Sequence, residues 1–403
     1  MHKIHVVSLG IIEDNISPRA KELIRSAKFV AGGRRHLQNL ADLTAHHIPI
    51  ARNINSAMAS IRECLNLNDV VVLASGDALF FGIGSRLLEH FSKDQLVFHP
   101  NITTIQAACA RLKMPWHNIL PVSLHGRDLD ELRYALLQPE NRPIAVFTDP
   151  IQTPARLAHW LAENGFEDLI LHILEELGGA NERISHLSAS EARELKFSPL
   201  NLVIIPPRPS RPPFALGMPE DTYVHESGLI TKREVRAVTI SRLMPLYDQI
   251  FWDIGAGSGS VGLEASIFLP RGMVFCIEKD INRCKMIEEN RKRYGRLNVR
   301  TIHGDAPRCL SELPSPQRIF IGGSGGHLQE LLNVCWERLE TGGKIVVSAV
   351  LLKNICVLNE FFHDKKCETI QMQVSRFKQL GISSYAKAEN PAWLFISEKV
   401  ANP

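Results

Sequence analysis

Between Ile204 and Asp221 the chain reads IIPPRPSRPPFALGMPED, six prolines in 18 residues. Proline has no amide hydrogen and holds φ near one value, so this stretch can be neither a regular helix nor an inner strand. It predicts an extended linker over residues 206–221 and two folded domains, 1–205 and 222–403. A chain of 403 residues is also longer than one ordinary hydrophobic core sustains.

Both halves alternate short apolar runs with helical stretches, the α/β pattern. In the first half KIHVVSL, DVVVLAS, PIAVFTD and LNLVIIP read as strands. SPRAKELIRSA reads as a helix with Ser17 at its start and Pro18 in its first turn. TPARLAHWLAENGF reads as another, with Gly165 in a left-handed position just past its end. In the second half QIFWDIG, MVFCIE, VRTIHGD, RIFIGG and KIVVSAV are strands. ETIQMQVSRF and AWLFISEK follow, separated by a polar loop and placed to form a hairpin. Together these predict a doubly wound, seven-stranded mixed sheet with an antiparallel end.

Apolar content of 45% and a formal charge of +3 exclude disorder and give no general affinity for nucleic acid, so any basic site is local. The eight cysteines show neither CxxC pairs nor zinc spacing, which predicts reduced thiols and no metal. The opening MHKIHVVSLGIIEDN lacks the features of a signal peptide. No run reaches the ~18 apolar residues of a membrane helix. A cytoplasmic protein without a membrane partner is expected.

DIGAGSGSVGLEAS, from Asp253 to Ser266, passes from a strand through glycines to a helix. Gly255, Gly257 and Gly259 permit positive φ and bring bare main chain towards a ligand. Gly257, Gly259 and Gly262 also meet the dinucleotide spacing GxGxxG, a weak signal alone. S-Adenosylmethionine suits the wider pattern better. Asp253 at the strand end is placed to orient the loop and the donor's amino-acid end. Glu278 closes the next strand, where a carboxylate accepts from ribose hydroxyls, a placement that NAD also uses. Asp305 in HGDAP follows the third strand, placed to accept from the adenine amino group. Taken singly, each acid also reads as a helix cap or a solvated strand end.

The ordered set DxGxGxG, Glu, GDA resembles class I methyltransferases. With GLITKREVRAVTISRL before it and IFIGGSGGHLQELL after Asp305, it resembles the precorrin-6B methylase family, which methylates carbon 15 of a corrin precursor and removes a carboxyl group. In the first half VLASGDALFFGIGSRLL, TTIQAACARLKMPW, VSLHGRD, VFTDPIQTPARLAHWL, EELGGANERI and SPLNLVIIP resemble the two-lobed tetrapyrrole (corrin) methylases, here the carbon-5 type. Fused in this order, the halves resemble the bifunctional decarboxylating precorrin-6B methyltransferases of cobalamin synthesis. The first turn, SLGIIEDNISPRA, keeps Gly10 but lacks the family's proline and second glycine, and Asp14 does not align with the motif acid. In the second turn Ala78 replaces the usual proline.

The resemblance implies one S-adenosylmethionine per domain. In the second it implies contacts from Thr231, Asp253, Gly255, Ala256, Gly257, Ser258, Gly259, Glu278, Asp305 and Ala306. In the first it implies contacts from Ser75, Gly76, Asp77, Thr103 and Thr104. Electron-rich enamine carbons of the tetrapyrrole supply the nucleophile, so no catalytic side chain stands out. The substrate is rich in carboxylates, and Lys232, Arg233, Arg236 and Arg127 (in the turn His125–Gly126–Arg127) are candidate partners. Thr231 also reads as a helix cap with Glu234 at the capping-box position. The Gly322, Gly323, Gly325, Gly326 loop offers a bare surface for a flat ring, or else a flexible turn. A homotetramer through the second domain is implied, with no nucleic-acid partner. Two rivals are a class I RNA methyltransferase and a first half that only binds or assembles.

Overall fold

The computed structural model describes residues 2–11, 16–38, 40, 44–51, 53–208, 211–226 and 228–400. Asp14 and, within the proline-rich stretch, Pro209 and Ser210 lie outside the described residues. The chain divides into two compact units, Met1–Leu132 with Asn141–Arg208, and Arg133–Glu140 with Pro209–Pro403.

The first unit holds two sheets. Strands β1 (Ile4–Ser8), β2 (Phe29–Gly32), β3 (His46–Pro49), β4 (Val70–Ala74) and β5 (Leu96–His99) lie in the order β3-β2-β4-β1-β5. All of them are parallel. Alternate residues of β4 feed opposite cores: Val70, Val72 and Ala74 pack with Ile61 and Leu87, whereas Val71 and Leu73 pack with Ile24 and Leu37. Burial on both faces explains the unbroken apolar run VVVLA. Strands β6 (Leu120–Ser123), β7 (Ile144–Phe147), β8 (Ile170–Glu175), β9 (Arg183–Ser188) and β10 (Asn201–Ile205) form the second sheet, ordered β6-β7-β10-β8-β9. Only β6 and β7 pair in parallel. The helix ends follow the sequence signals. Ser17 Oγ accepts from the Ala20 amide at 3.2 Å ahead of helix Pro18–Ser26. Gly165 takes φ +78° past helix Pro154–Glu163.

The second unit is built on β11 (Ile250–Ile254), β12 (Met273–Glu278), β13 (Val299–His303), β14 (Arg318–Ile321), β15 (Lys344–Ala349), β16 (Cys367–Met372), β17 (Ser375–Leu380), β18 (Ser383–Ala388) and β19 (Ala392–Glu398). The expected seven-stranded sheet has the order β13-β12-β11-β14-β15-β19-β16, with β19 antiparallel to both its neighbours. Strand order reverses beside β11, which opens a crevice at the carboxyl ends of β11 and β14. The stretch between β16 and β19 differs from the expected polar loop. It folds on itself as the ribbon β17–β18, with Ser375 opposite Ala388. Its residues are mostly exposed, so little apolar periodicity marks them as strands.

From residue 211 onward the proline-rich segment packs onto this unit. Phe214 stacks on Tyr294 at 4.5 Å between ring centres. Gly217 and Met218 amides donate to Glu264 at 2.9 and 3.1 Å. Main chain that cannot pair in a sheet is here satisfied by a buried carboxylate.

Candidate active sites

In the second unit Gly255, Gly257 and Gly259 take φ of +68°, +58° and +76°, a region costly for other residues. Their surroundings differ. A Cβ on Gly255 would stand 2.5 Å from the Gly323 carbonyl oxygen, so this glycine exists to let two loops touch. A Cβ on Gly259 would press on Ile287 at 3.0 Å. Gly257 alone looks into open space, its nearest neighbour being the Leu229 carbonyl at 3.8 Å.

Two clefts flank this turn. One, of about 470 Å³, is lined by Thr231, Lys232, Gly255, Ala256, Gly257 and Ser258, with Gly323 and Glu389 opposite. The other, of about 230 Å³, is lined by Glu278, Lys279, Asp305, Ala306 and Gly325. Gly255, Arg283 and Gly323 border both. Thus all the proposed donor contacts of this unit reach a cleft except Asp253 and Gly259. Ser258 Oγ is buried and has no partner among the described residues, unused capacity of the kind a polar ligand meets.

The carboxylates act first on the main chain. Glu278 is buried; one oxygen accepts from the Gly257 amide at 2.9 Å, the other from the Lys279 and Asp280 amides at 3.0 and 3.1 Å. Asp253 is buried behind the loop, where Oδ2 accepts from the Gly262 amide at 2.7 Å and Oδ1 is unpartnered among the described residues. Burial, reinforced by the nearby Glu278, pushes its carboxyl up to about 7. Asp253 therefore orients the loop and does not line the donor's space.

Two expectations around the helix Arg233–Leu243 are corrected. Lys232, not Thr231, occupies the cap position, and no side chain caps it. The Arg233 amide instead donates to Glu220 Oε1 at 2.8 Å. Glu234 turns away to Arg376 and Arg233, at 2.7 and 3.1 Å, because an ion pair on each side outbids a single amide. Arg236 is not a substrate arginine. It is 0% exposed, paired with equally buried Glu264 at 3.0 Å, and it donates to the Thr231 and Met218 carbonyls. Tyr223 completes the cluster through its hydroxyl, 2.8 Å from Glu264. Lys232 borders the larger cleft, whereas half-exposed Arg233 is paired with Glu234 and lines neither cleft.

In the first unit Gly10 and Gly76 bridge each other through paired N–H···O bonds of 3.1 Å, at φ +71° and +61°. A cleft of about 460 Å³ opens beside them, lined by Ser75, Gly76, Thr104, Phe147 and Asn201. Asp77 and Thr103 do not line it. Asp77 accepts from the Leu79 and Asn101 amides at 2.9 and 3.3 Å. Thr103 caps the helix Thr104–Leu112, in a full capping box with Gln106. Both hold loops that present Ser75, Gly76 and Thr104. The His125–Arg127 turn does bind an acid, its own Asp149, which accepts the Gly126 amide at 2.8 Å. Arg127 is exposed and does not line that cleft.

Family descriptions match both units: tetrapyrrole (corrin/porphyrin) methylases over residues 3–193 and a precorrin methyltransferase domain over residues 221–399. A precorrin-6Y C(5,15)-methyltransferase [decarboxylating] of Sinorhizobium sp is 34% identical over 385 residues, covering 93% of this chain and 91% of the relative. The chain belongs to the decarboxylating precorrin-6Y C(5,15)-methyltransferase family. A family member of Mycobacterium tuberculosis (strain CDC 1551 / Oshkosh) is 29% identical, covering 88% of this chain and 89% of its own length. The crystal structure of the precorrin-6Y C5,15-methyltransferase from Geobacter metallireducens GS-15 is 37% identical, covers 46% of this chain and 97% of that one, and has a TM-score of 0.44. Family membership displaces the dehydrogenase and RNA-modifying readings.

One feature of this family member was missed in the sequence. His36 Nε2 lies 2.6 Å from Ser75 Oγ, and His36 and Arg35 border the same cleft. Burial and the adjacent Arg35 hold the His36 imidazole below its ordinary value. Nothing near His36 in the sequence suggested a partner, because Ser75 is brought to it only by the pairing of β2 with β4.

Proposed function

We propose that the two units divide the family's reaction between them, each with its own S-adenosylmethionine. The chain is a methyltransferase of cobalamin biosynthesis whose reaction includes decarboxylation. On this reading residues 1–205 methylate carbon 5 of precorrin-6B, and residues 222–403 methylate carbon 15 and release the ring C acetate carboxyl as carbon dioxide. The residues 206–221 join them. The observation that carries the reading is that each unit has its own cleft beside a positive-φ glycine turn.

In the second unit Thr231, Gly255–Ser258, Glu278, Asp305 and Ala306 would hold the donor, and Lys232 would meet substrate carboxylates. Ser75, Gly76 and Thr104 would hold it in the first. The donor supplies an electrophilic methyl group. The protein's work is to align it with a ring carbon and exclude water. Among the described residues no three His, Cys, Asp or Glu side chains are arranged for a metal, and no helix is long and apolar enough to cross a membrane.

The full chain supplied with precorrin-6B and isotopically labelled donor should transfer two methyl groups and release one carbon dioxide per ring, counted by mass spectrometry. One methyl with decarboxylation would leave the first unit as a binding or assembly module. A cytoplasmic homotetramer joined through the second unit completes the proposal. The ribbon β17–β18 supports it, since Phe377 and Leu380 are 78% and 67% exposed, and sedimentation of the full chain checks it.

A further inference from the structure

Two clefts of the first unit meet at one wall. The cleft beside Ser75 and Gly76 is adjoined by a second, of about 480 Å³, bordered by Leu9, Ile16, Ile24, Glu176 and Gly178. Gly10, Ile11, Arg35, His36, Leu73 and Leu177 border both. Of these shared residues only His36 can exchange a proton near neutral pH, and it is the one bonded to a hydroxyl facing the first cleft.

We propose that His36, acting through Ser75, is the proton acceptor for methyl transfer in the first unit. The inference rests on the reading of that unit as a methyltransferase. In the transfer the donor's S–CH3 bond breaks, sulfur keeps the bonding pair, and a C–CH3 bond forms at the ring. The ring gains one positive charge and must lose one proton, from a ring nitrogen or from the methylated carbon. Ser75 Oγ takes that proton while its own passes to His36 Nε2, and the imidazolium later releases it to water. Among the described residues, the charged side chains that line these clefts with His36 are Arg35, which opposes its protonation, and Glu176, whose carboxylate accepts from the Ser198 hydroxyl. An imidazole kept neutral by burial and by Arg35 is both competent to accept a proton and free of repulsion toward a sulfonium cation.

The test uses the full chain, so that carbon-15 methylation and carbon dioxide release serve as internal controls. His36→Gln should slow carbon-5 methylation by about 100-fold, the low end for a lost general base, with donor affinity at the first site unchanged by calorimetry. Ser75→Ala should slow it about 10-fold, a tenth of the loss expected for the base itself. Added imidazole should restore part of the rate to His36→Ala. In the wild type the carbon-5 rate should fall as pH drops through the lowered imidazole value, and His36→Gln should lose that limb. Without any turnover, NMR of labelled histidine should show His36 titrating below the ordinary imidazole range and moving in Ser75→Ala. Wild-type carbon-5 rates in His36→Gln, or a rate loss matched by lost donor affinity, would overturn the assignment. Wild type that makes the carbon-15 product but never a carbon-5 methyl overturns the reading of the first unit, and this proposal with it.

Discussion

The second unit ties its glycine turn to buried strand-end carboxylates, whereas the first pairs two glycine turns directly through main chain. Glu278 grips the Gly257 amide and Asp253 the Gly262 amide, each from a strand end. In the first unit Gly10 and Gly76 pair directly, and Ser8 Oγ accepts from the Ala78 amide at 3.0 Å. The difference has a chemical consequence. In the second unit Asp253 and Glu278 serve the turn, and the larger cleft is lined by glycine backbone together with Thr231, Ser258, Lys232 and Glu389. In the first unit Ser8 and Asp77 brace the turn without lining the cleft beside Ser75, and Ser75 and His36 stand at that cleft as a bonded pair.

The largest effect should come from the buried pair that backs the second unit. Arg236→Ala leaves Glu264 uncompensated and should cost about 3–5 kcal/mol, read by chemical denaturation. Unchanged stability would mean that the Glu264 cluster is not the anchor of residues 217–223. Next, Gly255→Ala combines an unfavourable φ with a clash on Gly323 and should cost about 3 kcal/mol, with donor stoichiometry of the full chain dropping from two to one. Gly257→Ala has room and should cost only about 1 kcal/mol, while still weakening donor binding at that site. Equal costs would erase the distinction between the loop contact and the open face.

The third contrast is one of pH. Asp253 titrates near 7 in the folded chain, above its unfolded value of about 4. The folded state therefore favours the protonated form, and stability falls as pH rises from about 4 to about 7. Asp253→Asn should flatten that slope in urea midpoints measured across this range; a slope that persists would assign it to another group. The smallest effect separates the two threonines of the first unit. Thr103→Ala should cost about 1 kcal/mol as a lost cap and leave donor affinity alone, while Thr104→Ala should weaken the donor and spare stability.

Much was legible in the residues. Strands β1, β4, β7 and β10 of the first unit, the helix start at Ser17, the left-handed Gly165 and the second unit's seven-stranded sheet with its antiparallel end follow from patterns a few residues long. The ribbon β17–β18 was not, because an exposed two-stranded hairpin buries too little to leave a period of apolar residues. Within the sites, the Gly255–Ser258 turn, Glu278, Asp305, Ser75 and Gly76 reach clefts. Asp253, Asp77 and Thr103 were read as ligand contacts, but they bond to amides within the protein.

By itself the sequence determined where the turns lie, which residues can adopt their φ values and which acids end the strands, since sterics and hydrophobic periodicity act between near neighbours. Only the tertiary structure decided which polar groups remain available. Arg236 meets Glu264 across 28 positions and His36 meets Ser75 across 39. Whether a charge faces solvent, a ligand or a buried partner depends on what the fold brings against it, because desolvation and hydrogen bonding are set by neighbours in space.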